Sequence, residues 1–428
     1  MAGPAGGRSL FAGAGRRRRR PLEGVDLTLW GIPLAMVLLA GGLIASTQRQ
    51  AGYADWYQHW ITAGVGMGVA LLIARFPLQR IENLHWPIYA ATIASLVAVR
   101  LVGTSALGAP SGINSGGVYV PPAEIATLTA IVLLARVLAR FPVERPVDLL
   151  RPLAVIGLPW LLIFVQPDLG TSLVFGALSL TMMYWSGMPA AWVVLLVSPL
   201  ISAILAGTLA WGLVAWIPLM AVVAWRSLPW KRWALAICLA VQAAVAALTP
   251  WLWEHGLRPH QRARLTLFLD PSQDPLGGGY HLLQSTVGIG SGGFWGTGLM
   301  NGVLTKLRFI PEQHTDFIFS ALGEETGFLG SILVVSGFAI LMARLLQIAG
   351  KARTDFESLV VVGVGAMVMF QVTVNINMTI GLGPITGIPL PFLSYGRSAL
   401  LVNFIALGLV ASVARRAHQG LQMGRRRR

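Results

Sequence analysis

A series of long apolar segments is the feature that most constrains how this 428-residue chain folds. A helix that crosses a bilayer needs about 20 mostly apolar residues, and lipid tolerates only helices and closed barrels because the backbone finds no water there. Charged residues are 11% of the chain, against about 25% in soluble proteins. The sequence predicts an all-α polytopic membrane protein. Its apolar segments are 27–46, 60–76, 86–102, 123–139, 152–166, 170–187, 190–206, 209–225, 233–253, 317–345, 357–379 and 398–415.

The number of transmembrane helices is predicted to be about 10 to 12. The range arises because the short pairs between 152 and 225 each fit two helices or one kinked or re-entrant hairpin. Lys and Arg collect in loops on the side of both termini, which the positive-inside rule assigns to the cytosol. The expected organisation is a basic tail, a transmembrane domain with one long outer loop, and a second basic tail. These parts are 1–25, 26–416 (outer loop about 254–315) and 417–428.

The net charge of +15 does not indicate a nucleic-acid partner, because much of it lies in two terminal runs, Arg16 to Arg20 and Arg425 to Arg428. Such runs are typical of unstructured cytosolic tails, solvated or lying against anionic membrane lipids. The single cysteine, Cys238, excludes an intramolecular disulfide and supports no cysteine-based metal site. The first apolar segment has no small-residue cleavage site, so it is expected to remain as a helix.

The long outer loop contains a basic group at Arg258, Arg262 and Arg264, followed by Asp270 and Asp274. Arginine presents a rigid fork of donors that suits phosphate oxygens. Two interpretations stay open. The group holds a phosphorylated lipid headgroup or a pyrophosphate, or it is an interfacial loop that pairs with bilayer phosphates or with the aspartates.

The glycines of GGGYHLLQSTVGIGSGGFWGTG (277–298) include a literal GxGxxG at Gly288, Gly290 and Gly293. A dinucleotide site needs this motif between a strand and a helix, and that context is absent. A flexible or re-entrant segment is predicted instead, with a backbone that can approach a ligand closely. The other outer loops, 104–122 and 381–398, are expected to form turns and ordered, packed backbone, respectively.

Acidic residues are concentrated in FIPEQHTDFIFSALGEETGFLG (309–330), at the start of an apolar segment. Thr315 or Asp316 is a plausible N-cap for the helix that follows. Asp316 is alternatively a carboxylate at the water-lipid boundary that accepts a proton from a hydroxyl. The face below it is small and polar, so a helix or a long thin ligand can approach; it contains Ser320, Gly323, Gly327 and Gly330 or Ser331.

Other polar residues lie within or beside apolar segments. Glu324 and Glu325 lie deeper on the same helix, where ionisable groups tend to mark function or a specific partner. Glu124 and Asp168 stand at helix ends, where capping or the helix dipole is the simpler explanation. Asn375 and Asn377 are predicted to form interhelical hydrogen bonds. No HExxH, P-loop or GxSxG motif supports a hydrolase or an ATPase.

Four stretches together resemble the SEDS proteins (shape, elongation, division and sporulation), over about residues 27 to 416. They are FLDPSQDPLGGGYHLLQS, GIGSGGFWGTG, FIPEQHTDFIFSALGEETG and NINMTIGLGPITGIPLPFLSYG. QPDLGTS and TKLRFIPEQHTDFIF are most similar to the elongation type, RodA, rather than to the division type, FtsW. The resemblance implies a peptidoglycan glycosyltransferase in the bacterial cytoplasmic (inner) membrane. Its implied substrate is lipid II and its implied partner is a class B penicillin-binding protein.

The resemblance also implies roles for individual residues. Asp316, in HTDF, matches the aspartate regarded as essential for polymerisation, and Arg262 and Arg264 match a basic pair that would stabilise the pyrophosphate leaving group. A divalent cation, Mg²⁺ or Mn²⁺, can share this task, although the sequence shows no dedicated metal site. The full set of substrate-binding candidates is Arg262, Arg264, Arg258, Lys306, His314, Glu124 and Glu325.

The chain departs from the family pattern in several loops, and Pro121, Pro122, Ala123 and Glu124 stand where the family usually has Gln-Pro-Ser-Glu. Ser111 and Gly112 replace a usual Arg-Trp pair, Thr127 replaces a lysine, and Arg397 replaces a glycine. The apolar pair at about 190–225 predicts an extra hairpin beyond the usual ten helices. Two alternatives to the polymerase hypothesis are a lipid II flippase, with Glu124, Asp168 and Glu325 along its path, and a non-catalytic scaffold for a penicillin-binding protein.

Overall fold

The computed structural model is mainly helical. It describes residues 26–47, 56–102, 104–106, 109–115, 118–166, 168–255, 262, 267–268, 270–271, 274, 277–307, 309–310 and 312–426. The helices before the small sheet are α1 (Leu27–Thr47), α2 (Trp56–Ile73), α3 (Leu78–Asn83) and α4 (His85–Val102). Those after it are α5 (Pro122–Arg140), α6 (Leu150–Val165), α7 (Leu169–Trp185), α8 (Ala190–Thr208), α9 (Leu213–Ser227), α10 (Lys231–His255), α11 (Gly278–Ser291), α12 (Val303–Leu307), α13 (Ile318–Gly350), α14 (Asp355–Thr379) and α15 (Arg397–Arg426).

The apolar segments form helices of membrane-spanning length, as the sequence predicts. Within the described residues, nine helical segments are long and apolar enough to cross a bilayer. Three others, α2, α4 and α7, are 17 or 18 residues long. The protein is therefore a multi-pass helical membrane protein, and the predicted count of about 10 to 12 helices is not fixed more narrowly.

A small antiparallel sheet lies between α4 and α5, where turns are expected from the sequence. Its strands are β1 (Thr104–Ala106), β2 (Ala109–Ser115) and β3 (Val118–Val120), paired in chain order. The Pro, Ser and Gly residues within β2 do not prevent it from pairing with both neighbours. The departures Ser111 and Gly112 both lie in β2.

The centre of the bundle is formed by α5, α7, α14 and α15. The helix α14 packs against α5, α7, α13 and α15, and α15 packs along α2. In α5, 72% of the span is buried inside the protein, against 11% in α10. Small residues allow the close approach: a Cβ on Gly363 of α14 would lie only 2.7 Å from the Ile131 side chain of α5.

The helices α8, α9 and α10 pack mainly on one another and touch the rest through α7. Their shared interior is polar: Gln242 donates to Ser198 at 2.5 Å and accepts from Ser202. Such side-chain bonds between helices are stabilising in lipid, where an unpaired polar group is costly. The predicted extra hairpin thus corresponds to α8 and α9, which complete a peripheral three-helix group with α10.

Within the part of the chain that the structure describes, three ion pairs join elements at the end of the bundle that the sequence assigns to the cytosol. They are Arg136 with Glu82, Arg344 with Asp26, and Arg416 with Glu357. The helix α15 continues to Arg426, so the expectation of an unstructured C-terminal tail is wrong up to that residue. The spanning helix simply extends beyond its apolar part. The run Arg16 to Arg20 lies outside the described residues.

Candidate functional site

Asp316 lies in a tight turn directly before α13. The turn, residues 312–317, closes through Thr315 and Phe317, whose backbone N–H groups both donate to the Glu312 carbonyl, at 3.1 and 3.2 Å. The helix begins at Ile318, and its N-cap is Phe317 without a side-chain cap. The prediction of Thr315 or Asp316 as the N-cap is wrong, because the chain turns back on Glu312 before the helix starts. Asp316 is half-buried and precedes the helical face that the sequence assigned to it.

The 312–317 turn is held from above by the last outer loop and from the side by α14. Ser394 Oγ donates at 2.6 Å and the Tyr395 backbone N–H at 2.8 Å, while Asn375 Nδ2 donates at 2.8 Å from α14. The acceptors are the backbone carbonyls of residues 315, 314 and 316, respectively. Because the acceptors are backbone carbonyls, these three hydrogen bonds position the backbone of the turn and do not use its side chains.

The side chains of Asn375 and Gln313 connect this turn to other segments. Asn375 Nδ2 also donates to the Ile388 carbonyl at 2.8 Å, so one amide joins the turn to the last outer loop. Gln313 Nε2 donates to the carbonyls of Thr305 at 2.8 Å and Thr47 at 3.2 Å, which ties the turn to α12 and to the end of α1. The prediction of interhelical hydrogen bonds is wrong in its partners: Asn375 bonds a turn and a loop, and Asn377 bonds within its own helix, to the Thr373 carbonyl.

The helix α13 is broken at Gly327, where φ is 66° and ψ is −162°. The segment after α11 fills the break with backbone hydrogen bonds. Thr297 and Gly298 donate to the carbonyls of residues 324 and 325, and the N–H groups of residues 328 and 329 donate to carbonyls at 293 and 294. A Cβ on Gly327 would overlap the backbone nitrogen of Gly296. Irregular backbone at membrane depth requires such internal pairing, so the predicted re-entrant segment closes on the protein itself.

The first part of the small face of α13 packs against a helix. Ser320 and Ser285 of α11 share a hydrogen bond between their hydroxyls, and a Cβ on Gly323 would lie 3.0 Å from Ile289. The close approach anticipated from the sequence is thus made by α11, a helix within the predicted long outer loop.

Glu324 organises α12 and the position of Lys306. Its carboxylate accepts from the backbone N–H groups of Leu304 at 2.8 Å and Thr305 at 2.9 Å, and from the Thr305 hydroxyl at 2.6 Å. It therefore satisfies the free N–H groups at the start of this short helix from a distant part of the chain. Lys306 follows directly, half-buried, with Nζ 3.4 Å from Asn301 Oδ1.

Glu325 is buried and both of its carboxylate oxygens contact the chain. One accepts from Ser46 Oγ of α1 and the other from the Met300 backbone N–H at 3.1 Å. Its relative exposure is 1%, so these contacts stabilise the junction of α1, α13 and the segment before α12. Contact between Glu325 and a substrate remains a prediction.

The basic group of the long loop is only partly described. Arg258 and Arg264 lie outside the described residues. An Arg262 guanidinium nitrogen donates to the Glu254 carbonyl at the end of α10. His314, in the Asp316 turn, is half-buried with its ring 5.9 Å from the Tyr395 ring. Among the departures from the family pattern, Arg397 is the exposed first residue of α15.

Glu124 and Asp168 lie together beside a cavity of about 150 Å³ under the last outer loop. Asp168 is the N-cap of α7 and accepts from the Thr171 N–H at 3.0 Å and hydroxyl at 2.7 Å, which confirms the capping interpretation. Glu124 is in the first turn of α5. Gln371 and Asn403 also line this cavity; polar residues inside apolar segments are a signal that would have identified both.

Within the described residues, no three His, Cys, Asp or Glu side chains gather to hold a metal ion. The fold and the site together define a polytopic helical membrane protein with a carboxylate turn fixed at one end of its bundle. The chain belongs to the FtsW/RodA/SpoVE family: the family model described as "Cell cycle protein" matches residues 25–213 and 209–419.

Relatives and a solved structure agree with this assignment. The chain is 33% identical to the peptidoglycan glycosyltransferase MrdB of Escherichia coli K12, over 82% of each chain. It is 32% identical to the peptidoglycan glycosyltransferase RodA of Treponema pallidum, over 84% of this chain and 89% of the relative. It also matches a chain of a solved peptidoglycan synthase complex that coordinates polymerization and crosslinking. That match has a TM-score of 0.70 and 27% identity, and it covers 92% of this chain and 98% of the other.

Proposed function

We propose that this protein is a peptidoglycan glycosyltransferase that polymerises lipid II, with Asp316 as its catalytic base. The observation that carries the proposal is the 312–317 turn, which places the half-buried Asp316 directly before α13 and is held by donors to the backbone carbonyls of residues 314, 315 and 316. Family membership and the names of the relatives, MrdB and RodA, support the reaction class.

In the proposed reaction, Asp316 accepts the proton of the 4-hydroxyl of an acceptor GlcNAc. The resulting oxygen attacks the anomeric carbon of the donor, whose bond to the pyrophosphate oxygen breaks. Undecaprenyl pyrophosphate leaves with the electron pair, and an α-linkage becomes a β-linkage. A single inverting displacement needs one base and a stabilised leaving group, which is why one carboxylate suffices.

The proposed stabilisation of the leaving group relies on the basic residues of the long loop. Arg262 and Arg264 would bind the pyrophosphate with bidentate hydrogen bonds, with Arg258 and Lys306 adding positive charge and His314 beside the base. Mg²⁺ or Mn²⁺ would act as a counter-ion to the pyrophosphate. Glu124 and Glu325 remain candidates for substrate contacts.

We place the reaction at the outer face of the bacterial inner membrane, with both termini in the cytosol. The three ion pairs at the opposite end of the bundle support this orientation, because they join basic residues of the predicted cytosolic side. A role in cell elongation and a class B penicillin-binding protein as partner complete the proposal. The solved synthase complex, in which polymerization and crosslinking are coordinated, supports the choice of partner.

The deciding experiment is polymerisation of labelled lipid II by the purified protein, alone and with its class B partner. Asp316→Asn keeps the size of the side chain but cannot accept the proton, so we expect glycan synthesis to be lost. Glu312→Gln is the matched control: it neutralises an exposed carboxylate of the same turn, whose oxygen accepts from Thr315 Oγ1 at 3.0 Å. Activity should persist there, because an amide oxygen can accept the same bond.

The alternatives make different predictions in the same preparation. Equal polymerisation by the wild type and a folded Asp316→Asn variant would exclude Asp316 as the base. If no glycan forms with any partner or cation, transfer of labelled lipid II between leaflets of proteoliposomes tests the flippase hypothesis. Retained partner binding without either activity would favour a scaffold.

A further inference from the structure

A second polar site lies inside the helix bundle, apart from the Asp316 turn. It is the cavity of about 150 Å³ between α5, α7, α14 and α15, closed above by Gly387, Ile388 and Pro389 of the last outer loop. Two carboxylates line it, those of Glu124 and Asp168, and no Lys, Arg or His is among the described residues that line it. Two acids without a basic neighbour are unusual in the interior of a membrane protein, where charges are normally paired.

Unpaired acceptors surround this cavity. Among the described residues, Glu124 Oε2, Gln371 Oε1 and Asn403 Oδ1 are buried without a hydrogen-bond partner, and all three residues line the cavity. Asn403 is only 4% exposed. Buried polar atoms almost always have a partner, so three unpaired oxygens from three helices at one cavity require an explanation in common.

Three hydroxyl donors near the cavity are already used by the chain. Thr127 Oγ1 donates to the Ala123 carbonyl of its own helix at 3.1 Å. Thr171 donates to Asp168 through both its N–H and its hydroxyl, and Ser398 bonds the Glu124 side chain. The unpaired atoms at the cavity are oxygens of carboxylate and amide type, which are the ligands that hard cations prefer, while the Gln371 and Asn403 amides also carry NH₂ groups.

We propose that this cavity binds one hydrated divalent cation, of the Mg²⁺, Ca²⁺ or Mn²⁺ class, between Glu124, Gln371 and Asn403. One such ion balances the charge of the two carboxylates. The cavity volume of about 150 Å³ is large enough for the ion and several of its waters, since one water needs about 10–15 Å³. The ion would join α5, α14 and α15 beneath the loop that also holds the Asp316 turn, and it is distinct from the counter-ion proposed for the pyrophosphate.

The test measures metal binding rather than glycan synthesis, so its outcome is separate from that of the proposed function. The full chain is purified in detergent and stripped with a chelator. Its unfolding temperature is then followed while MgCl₂, CaCl₂ or MnCl₂ is added at constant ionic strength, and bound Mn²⁺ is counted by electron paramagnetic resonance. We expect a saturable rise in the wild type and the same rise in Asp316→Asn, because Asp316 is not part of this site.

Glu124→Gln removes the unpaired charged oxygen with little change of shape. It should weaken the divalent response by more than about tenfold, since even outer-shell partners of a metal cost 10–100-fold in affinity when removed. Asn403→Ala, which removes a neutral ligand, should also weaken the divalent response. It is the second test of the site if Glu124→Gln does not fold. Glu312→Gln should respond like the wild type.

Three results would overturn the proposal. The first is an unfolding temperature of the wild type that does not depend on divalent ions. The second is an affinity for divalent ions in Glu124→Gln and Asn403→Ala equal to that of the wild type. The third is a rise in unfolding temperature that Na⁺ saturates, so that a divalent ion causes no further rise. Loss of the response in Asp316→Asn but not in the cavity variants would assign the bound ion to the turn instead.

Discussion

Replacing Asn375 by alanine should impair the Asp316 turn more than any other single amide-to-alanine change on α14. Asn375 is fully buried, and its one NH₂ group donates to the carbonyls of Asp316 and Ile388, both at 2.8 Å. The substitution leaves these two carbonyls without their donor and removes the link between the turn and the last outer loop.

The size of the effect follows from these two bonds. Each hydrogen bond of this kind contributes about 1 kcal/mol net, so the pair contributes about 2 kcal/mol to the native position of the turn. If the base must occupy that position in the transition state, the same 2 kcal/mol corresponds to about a 30-fold loss of polymerisation rate, because 1.36 kcal/mol is tenfold. The protein should remain folded, since the large apolar core is untouched.

Asn377→Ala provides the matched control for this prediction. It is the same change two residues along the same helix, but Asn377 Nδ2 donates only to Thr373 of its own helix. The assay is lipid II polymerisation at equal amounts of folded, partner-bound protein, with hydrogen exchange of residues 312–317 as a structural readout. Equal activity in the two variants, or faster exchange in Asn377→Ala than in Asn375→Ala, would refute the argument.

Two further predictions concern the segment that packs into α13. Gly327→Ala should cost at least about 1–3 kcal/mol, because φ of 66° with ψ of −162° is strained for any residue with a Cβ; thermal unfolding should show the loss, whereas Gly290→Ala, with open space around it, should not. Glu324→Gln should destabilise by about 1.5–3 kcal/mol, since an amide cannot accept from all three donors of Leu304 and Thr305. An unchanged unfolding temperature in Glu324→Gln would show that this carboxylate does not hold α12.

The sequence anticipates the features that depend on local pattern. The length of the apolar segments predicts the helices. The cap of α7 at Asp168 is also predictable, because a capping carboxylate accepts from a backbone N–H only three residues away. The start of α13 is a counterexample: the same cap rules favour Thr315 or Asp316, but the chain closes a turn on Glu312 first. A strong local motif is therefore reliable only where no competing local hydrogen bond exists.

The tertiary structure decides which distant groups meet. Glu325 bonds Ser46, 279 residues away, and Asn375 bonds Asp316, 59 residues away; no periodicity in the sequence encodes such pairings. Membrane-spanning length, charge bias and the position of the acidic stretch were fixed by the sequence, because they depend on the transfer of each segment from water to lipid. The site geometry was not, because it depends on how separate helices pack and which buried polar atoms thereby find partners.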